Sequence, residues 1–341
     1  MAKPPTTVFD TESSEDRISR LLNAKKLVPA KYAGSDRYFD LVSWNIAWFD
    51  AADPERVQVI TEVLSQINAD MFVLLEIADD GALDEVVAAL AKRKAGYYST
   101  CFGGTGGQQR VVLMWNRDWV RAKETPGDLF ADRNPQLPAE FGVGKQKVFP
   151  RLPVWGYFEV RPPPHTVGEG FSFELMGVHL KAQGPAPAGY KGPDKRWGIP
   201  QRTAAAKTIA RWLQQPAEHY DTDVIVAGDW NATASEAEWK SLQKLEKTGA
   251  VHFQGINHDT EVSHLVRLNA GGPAGSRLDL HLVTDAASAA LVPDQAGVVI
   301  QWRFFDELDA LPAADRRKLF SRLKSRFSDH LPVVSRFYLV P

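Results

Sequence analysis

The chain has 341 residues, 44% of them hydrophobic, and a formal net charge of −2. That is enough apolar length to bury a sizeable core, as one large domain or two small ones, and it excludes a disordered or fibrous chain. So small a charge argues against holding nucleic acid by bulk electrostatics, although a local basic patch can serve a transient substrate. The single cysteine, Cys101, excludes an intrachain disulfide and a cysteine-based zinc site, so a metal would sit on oxygen and histidine. No apolar run reaches the ~18 residues of a membrane span. The start, Met1-Ala2-Lys3-Pro4-Pro5, lacks the apolar stretch of a secretory signal. The expectation is a cytoplasmic monomer, or a secreted one whose leader has been removed.

Residues 1–36 read as an N-terminal extension, Pro-rich and polar at first. An amphipathic helix follows, with Ile18, Leu21, Leu22 and Leu27 behind the capping pattern Ser13-Ser14-Glu15-Asp16. Over 37–341, strands ending in polar residues alternate with helices, which argues for layered α/β architecture. Strands are predicted at 39–46, 70–76, 96–101, 109–116, 154–161, 172–181, 223–228, 277–284 and 331–339. Apolar spacing near 3.6 predicts helices at 55–67, 81–94, 200–214, 235–246 and 306–325. The Pro- and Gly-rich stretches 124–146 and 183–199 read as long loops, a kind often functional.

The most informative strand end is Gly228-Asp229-Trp230-Asn231, after the apolar run Val224-Ile225-Val226-Ala227. Side chains at i and i+2 share a face, so Asp229 and Asn231 can converge on one ligand. The acid can hold a divalent cation through oxygen, and the amide can donate to a phosphate oxygen without adding repulsive charge. Gly, Asp and Asn are also ordinary turn formers, so alone the tetrapeptide fits a strand-end turn equally well. Other strands end alike: Asn45 follows Leu41-Val42-Ser43-Trp44, and Glu76 follows Met71-Phe72-Val73-Leu74-Leu75. His179 lies in Val178-His179-Leu180, Asp279 follows Ser276-Arg277-Leu278, and Ser328-Asp329-His330 precedes the last strand. Each alone is commonly a solvated acid or a structural histidine. Together they make a set suited to metal binding and proton transfer.

In this order, over about residues 38–340, the motifs resemble the endonuclease/exonuclease/phosphatase superfamily, typified by pancreatic-type deoxyribonuclease. The resemblance implies a four-layer αββα sandwich of two packed mixed β-sheets, with the site at one rim. It also implies roles. Asn45 and Glu76 match the family's first-strand asparagine and principal metal carboxylate, and Asp229 and Asp329 complete the implied metal set. Arg151, in Phe149-Pro150-Arg151-Leu152-Pro153, looks like the phosphate-contacting arginine, alongside Asn231 and Gln109. His179 and His330 fall on the catalytic histidines, and Asp279 on the acid that orients His330. Gln109 departs from the pattern, standing where the pancreatic enzymes carry a glutamate paired with the first histidine. A neutral amide can only orient that ring, unless another acid supplies the partner.

The implied activity is hydrolysis of a phosphodiester by in-line water attack. One or two magnesium ions, or manganese or calcium in their place, would neutralise charge at phosphorus, and two histidines would move protons. Nucleic acid is the favoured substrate, DNA before RNA. In the stretch 181–202, Lys181, Lys191, Lys195, Arg196 and Arg202 outnumber Asp194 and interleave with Tyr190 and Trp197. Arg316, Arg317, Lys318, Arg322, Lys324 and Arg326 make a second basic run on the late helix, which a solvated outer face explains as well. The alternatives are a phospholipid or sugar-phosphate esterase and an inactive binding module on the same fold. For the lipid reading Trp302, Phe304 and Phe305 would have to be exposed, whereas packing against the core is the expected arrangement.

Overall fold

Apolar runs rich in Val, Leu, Ile and Phe make strands that can be buried on both faces, and every strand expected above forms. The computed structural model describes residues 12–23, 25–137, 146–161, 170–185, 189–191, 197–255 and 261–339. Helix α1 (Ser14–Leu22) precedes β1 (Tyr38–Phe49), α2 (Pro54–Ile67), β2 (Met71–Ile77), α3 (Asp80–Lys92), β3 (Tyr98–Phe102) and β4 (Arg110–Asn116). Short strands β5 (Val120–Ala122) and β6 (Gly127–Asp128) lead to β7 (Val154–Val160), β8 (Ser172–His179), α4 (Gly198–Leu213) and β9 (Val224–Asp229). Then come α5 (Lys240–Lys247), β10 (Val251–Gln254), a hairpin of β11 (His264–Asn269) and β12 (Gly272–Ser276), and β13 (Asp279–Thr284). The chain continues through α6 (Asp285–Ser288), β14 (Val298–Val299), α7 (Ala313–Arg326) and β15 (Val333–Tyr338).

Two mixed sheets result, in the strand orders β14-β15-β1-β2-β4-β3 and β10-β13-β9-β8-β7-β5, with β6 also on β7. In each, one central pair is parallel: β1 with β2, and β8 with β9. Alternation along the strands divides the core into layers. Phe39, Leu41 and Val73 face Phe158, Phe173 and Ile225 between the sheets. Their neighbours Val42, Trp44 and Phe72 pack outward under Ile18, Ile60, Val86 and Leu319 of the helices. On the other side Met176, Val178 and Val226 lie under Ile209 and Leu242. This is the αββα sandwich. Trp302, Phe304 and Phe305 are buried in the first outer layer, as packing against the core requires.

Helix starts follow their capping chemistry. Asp53 accepts the Arg56 amide at 3.1 Å, Pro54 occupies the first turn, and Asn68 ends α2 in the left-handed conformation. Ser13 caps α1 by accepting from Asp16. The late basic run is largely occupied in docking that helix. Lys318 and Arg322 pair with Glu15, Arg326 donates to Asn23, and Asp315 at the start of α7 receives Arg17. Arg316 donates to the carbonyls of Leu308 and Leu311.

Two predicted helices are shorter than expected. Residues 303–310 form a 3-10 segment, and Pro312 starts α7 afresh because a helix interior cannot accommodate its missing N–H. Ala237–Trp239 is likewise a 3-10 turn before α5, burying Trp239 and carrying Glu238 to Arg202. The expected loop 124–146 contains β6, and its residues 138–145 lie outside the described residues, as do 186–188 and 192–196 of the expected loop 183–199. Helix α4 already begins at Gly198 within that second loop.

Candidate active site

Register brings the polar strand ends abreast. In the second sheet His179 pairs with Asp229 and Asp229 with Asp279, so three adjacent strands present them side by side. In the first sheet Asn45 lies across from Leu75, one residue before Glu76. Gly228 makes the turn-out at the end of β9 possible. Its φ is 141°, and an added Cβ would come within 2.0 Å of the Val178 carbonyl oxygen.

Asp229 is the hub. Its Oδ2 accepts from Asn45 Nδ2 at 3.1 Å and lies 3.7 Å from His179 Nε2 and 3.9 Å from His330 Nε2. Glu76 Oε1 closes the group, 3.3 Å from the same Asn45 nitrogen, 3.7 Å from His179 Nε2 and 3.4 Å from Gln109 Nε2. Two imidazoles therefore face one buried carboxylate oxygen, and a second carboxylate stands beside them. Asn231 is placed otherwise than strand alternation implies. Strand β9 ends at Asp229, whose Oδ1 accepts the Asn231 N–H at 2.8 Å, an Asx-type turn. Asn231 then adopts φ 56° and donates Nδ2 to the Leu180 carbonyl at 3.1 Å. The tetrapeptide is both a turn and part of the site.

His330 is built in from three sides. Nδ1 meets Asp279 Oδ2 at 2.7 Å, the backbone N–H donates to Ser328 Oγ at 2.9 Å, and its carbonyl accepts from Trp44 Nε1 at 3.0 Å. Ser328 Oγ in turn donates to the Asn45 carbonyl at 2.7 Å, tying the last turn to β1. Ser263 orients Asp279 by accepting the N–H groups of Leu278 and Asp279 on its Oγ. Burial opposes charge on His330, but Asp279 and Asp229 outweigh it and hold the ring's pKa well above the ordinary value. His179 goes the other way. Burial first, then the charges of Arg151 and His330, push it well below the ordinary value. Asp229 is raised, chiefly by burial, with Asp279 adding to it against the pull of His330.

Arg151 and Gln109 act as braces in this geometry. Arg151 donates to the carbonyls of His179 (3.0 Å) and Leu180 (2.6 Å) and to Gln109 Oε1 (2.7 Å). The Gln109 side chain thus bridges Arg151 and Glu76 and does not orient His179. The acids near that ring are Glu76 and Asp229. Asp329 faces elsewhere, with Oδ2 at 2.5 Å from Lys324 Nζ and 3.9 Å from His264 Nε2. His264, which no sequence feature singled out, sets its ring 4.7 Å from that of His330. In the stretch after His179, Arg202 is buried on Glu238 at 2.7 Å and Trp197 is buried too, so neither overhangs the site. Tyr190 stacks edge-on against Trp197, while Lys181 stays half-buried beside Arg151 and Lys191 is exposed. Asp194, Lys195 and Arg196 lie outside the described residues.

The donor set fits a hard divalent cation. Glu76 Oε1 and Asp229 Oδ2 converge on one amide nitrogen, so two carboxylate oxygens stand close enough to share a cation, which would displace the proton that burial favours on Asp229. Among the described residues, the groups whose ligand atoms lie within 4.8 Å of one another are Asp229, Asp279 and His330. Of these, Asp279 and His330 already neutralise each other through the 2.7 Å contact.

Comparison with known proteins bears on the family and the fold. The model of the Endonuclease/Exonuclease/phosphatase family matches residues 42–330. Curated proteins gave no match. Among solved structures, a D. rerio TDP2 humanized by 14 mutations is similar with a TM-score of 0.50 at 17% identity, covering 89% of this chain and 99% of that one. A Bacteroides thetaiotaomicron endonuclease/exonuclease/phosphatase family protein gives 0.52 at 14%, covering 89% and 98%. The mannosyl-6-phosphatase of the same organism gives 0.50 at 14%, covering 87% and 98%. At such identities the structures speak for the fold, and the family match spans most of the sequence. The chain belongs to the endonuclease/exonuclease/phosphatase family of metal-dependent phosphoester hydrolases.

Proposed function

We propose that the protein is a divalent-metal-dependent phosphodiesterase that cleaves nucleic acid, with His179 and His330 as its acid–base pair and magnesium or manganese as its ion. The observation that carries this reading is the approach of both Nε2 atoms to one Asp229 oxygen, 3.7 and 3.9 Å away. A phosphate seated there would be flanked by two rings of opposite proton status. His330, kept charged by Asp279, is the donor to the leaving oxygen, and neutral His179 takes the proton of the attacking water. Glu76 and Asp229 would hold the cation, which when bound supplies charge neutralisation at phosphorus, and Asn45, whose Oδ1 is taken by the Ala47 N–H, steadies both carboxylates through Nδ2. Asn231 and Arg151 fix the carbonyl framework behind His179, and phosphate contact falls to the guanidinium N–H groups that framework leaves over. Lys181 and Arg151 add positive charge beside His179, which suits a polyanion.

The test is a panel of plasmid DNA, RNA, bis-p-nitrophenyl phosphate, mannose 6-phosphate, an inositol phosphate and sphingomyelin, assayed with magnesium, with manganese and with chelator. Metal-dependent cleavage of nucleic acid and of the bis-ester is the expected result. Turnover confined to a monoester or a lipid would overturn the substrate assignment. Parental rates in both His179→Ala and His330→Ala would overturn the mechanism.

A further inference from the structure

Strand β1 does not finish at Asn45. Its pairing with β2 jumps from Asn45↔Leu75 to Phe49↔Ile77, so Ile46, Ala47 and Trp48 bulge opposite the single residue Glu76. Three non-glycine residues at this level have left-handed backbone: Ala47 at φ 48°, Trp48 at 55° and Glu76 at 60°. A side chain makes that conformation costly, and it persists only where surrounding structure enforces it.

The enforcement comes from one buried side chain. Arg56, in the first turn of α2, donates to the carbonyls of Ile46, Ala47 (2.8 Å) and Trp48 (3.3 Å), and to Phe327 just before Ser328 (3.2 Å). Asn45 Oδ1 adds a bond from the Ala47 N–H at 3.0 Å. A cation at a helix N-terminus is itself unfavourable against the helix dipole. The bulge is thus fastened both to Asn45 of the site and to the turn that carries His330.

Its product is an exposed indole. Of ten tryptophans Trp48 alone is exposed, at 52%, whereas Trp44 four residues earlier is fully buried. Tyr220 and Tyr338, also exposed, rest on other rings, exposed Tyr97 precedes β3 at the end of its sheet away from Glu76, and Trp48 has no ring partner among the described residues. Three residues of chain keep its Cα within about 11 Å of that of Asn45. We propose that Trp48 is a stacking platform for an unpaired base next to the scissile phosphate, so that the preferred substrate is single-stranded or frayed nucleic acid. Every base has a π-face, so the contact favours nucleic acid over simple esters without reading sequence. The proposal rests on the nuclease reading above.

The experiment compares parental enzyme, Trp48→Ala and Trp48→Phe, with magnesium, on two oligonucleotides. One carries normal bases and the other tetrahydrofuran abasic residues around the scissile phosphate. On the first, Trp48→Ala should raise KM about 10- to 100-fold with kcat near parental, and Trp48→Phe should recover much of that, as loss of a base-stacking aromatic does elsewhere. On the abasic strand, which offers nothing to stack, the KM values of all three enzymes should converge. An equal loss on both strands, or none on the first, would overturn the inference while leaving the nuclease reading in place. A parental enzyme that hydrolyses bis-p-nitrophenyl phosphate but neither oligonucleotide would remove the nuclease reading and this role with it.

Discussion

At the scale of single residues, the site depends on how charge is divided between two histidines. Asp279 is fully buried, and among the described residues its carboxylate bonds the His330 ring at 2.7 Å. Asp279→Asn should therefore lower kcat about 10²- to 10⁴-fold with KM little changed, because the amide cannot sustain a charged ring. Steady-state kinetics on the bis-ester checks it. His219 offers a case away from the site, with Nδ1 at 3.1 Å from Glu174 Oε2. Burial opposes its charge, but the bonds to Glu174 and to the Trp212 carbonyl outweigh that and raise its pKa. Glu174 is lowered: burial works against it, and His219, Trp155 and the Tyr220 N–H prevail. The histidine's contribution is full below its ordinary pKa of ~6.5 and is lost as pH rises through the raised native value. That of the glutamate is present above ~4.3 and is lost as pH falls through its native value. His219→Gln should thus cost about 1–3 kcal/mol near pH 5.5 and less near pH 9, read by urea denaturation at the two pH values. The polar strand ends were legible because so many apolar runs deliver one, a joint pattern that solvated acids or structural histidines taken singly do not explain. Arg56, Trp48, Ser263 and His264 were not, since their roles come from contacts with distant parts of the chain. An arginine in the first turn of α2, against the helix dipole, was the one available signal.

At the scale of elements, α1 shows apolar burial and surface charge acting with unequal weight. Leu21 is 1% exposed in the first outer layer, whereas Glu15 and its partners Lys318 and Arg322 are about half exposed. Leu21→Ala should cost about 2–5 kcal/mol and Glu15→Ala under ~1 kcal/mol, compared by thermal or urea unfolding. The same contrast explains which elements could be read in advance. Long runs such as Met71–Ile77 carry their own signal, while β14 has two residues and β12 contains Gly272 and Gly275, too little apolar pattern to register. The basic face of α7 reads as a solvated or nucleic-acid surface until α1 is seen on it. Arg202 and Trp197 misled for the same reason, because a Glu238 some 36 residues on and a hydrophobic layer claim them.

At the scale of the whole molecule, the sandwich was legible from alternating strands and helices joined to the motif order, and the rim followed from it. The choice of substrate was not, because it depends on cleft shape and on which cations remain uncommitted. Three hydrophobic layers hold the sandwich together and the site's acids lie at strand ends, so chelation should abolish turnover yet leave a cooperative fold. Magnesium at ~100 times its Kd should raise stability by about 2.7 kcal/mol, visible as a higher Tm. An unchanged Tm at saturating magnesium would mean that the cation does not bind the folded site.

The pairing of β1 with β15 sets Tyr38 against Tyr338, and Val42 against Val334. A ribosome therefore delivers the central strand of one sheet long before its neighbour exists, leaving a long apolar edge open to other nascent chains. Closing so large a loop adds little to the equilibrium cost but slows the search. Chains interrupted before Val333 should accordingly accumulate as aggregates, and chaperone demand in this protein should peak before β15 emerges.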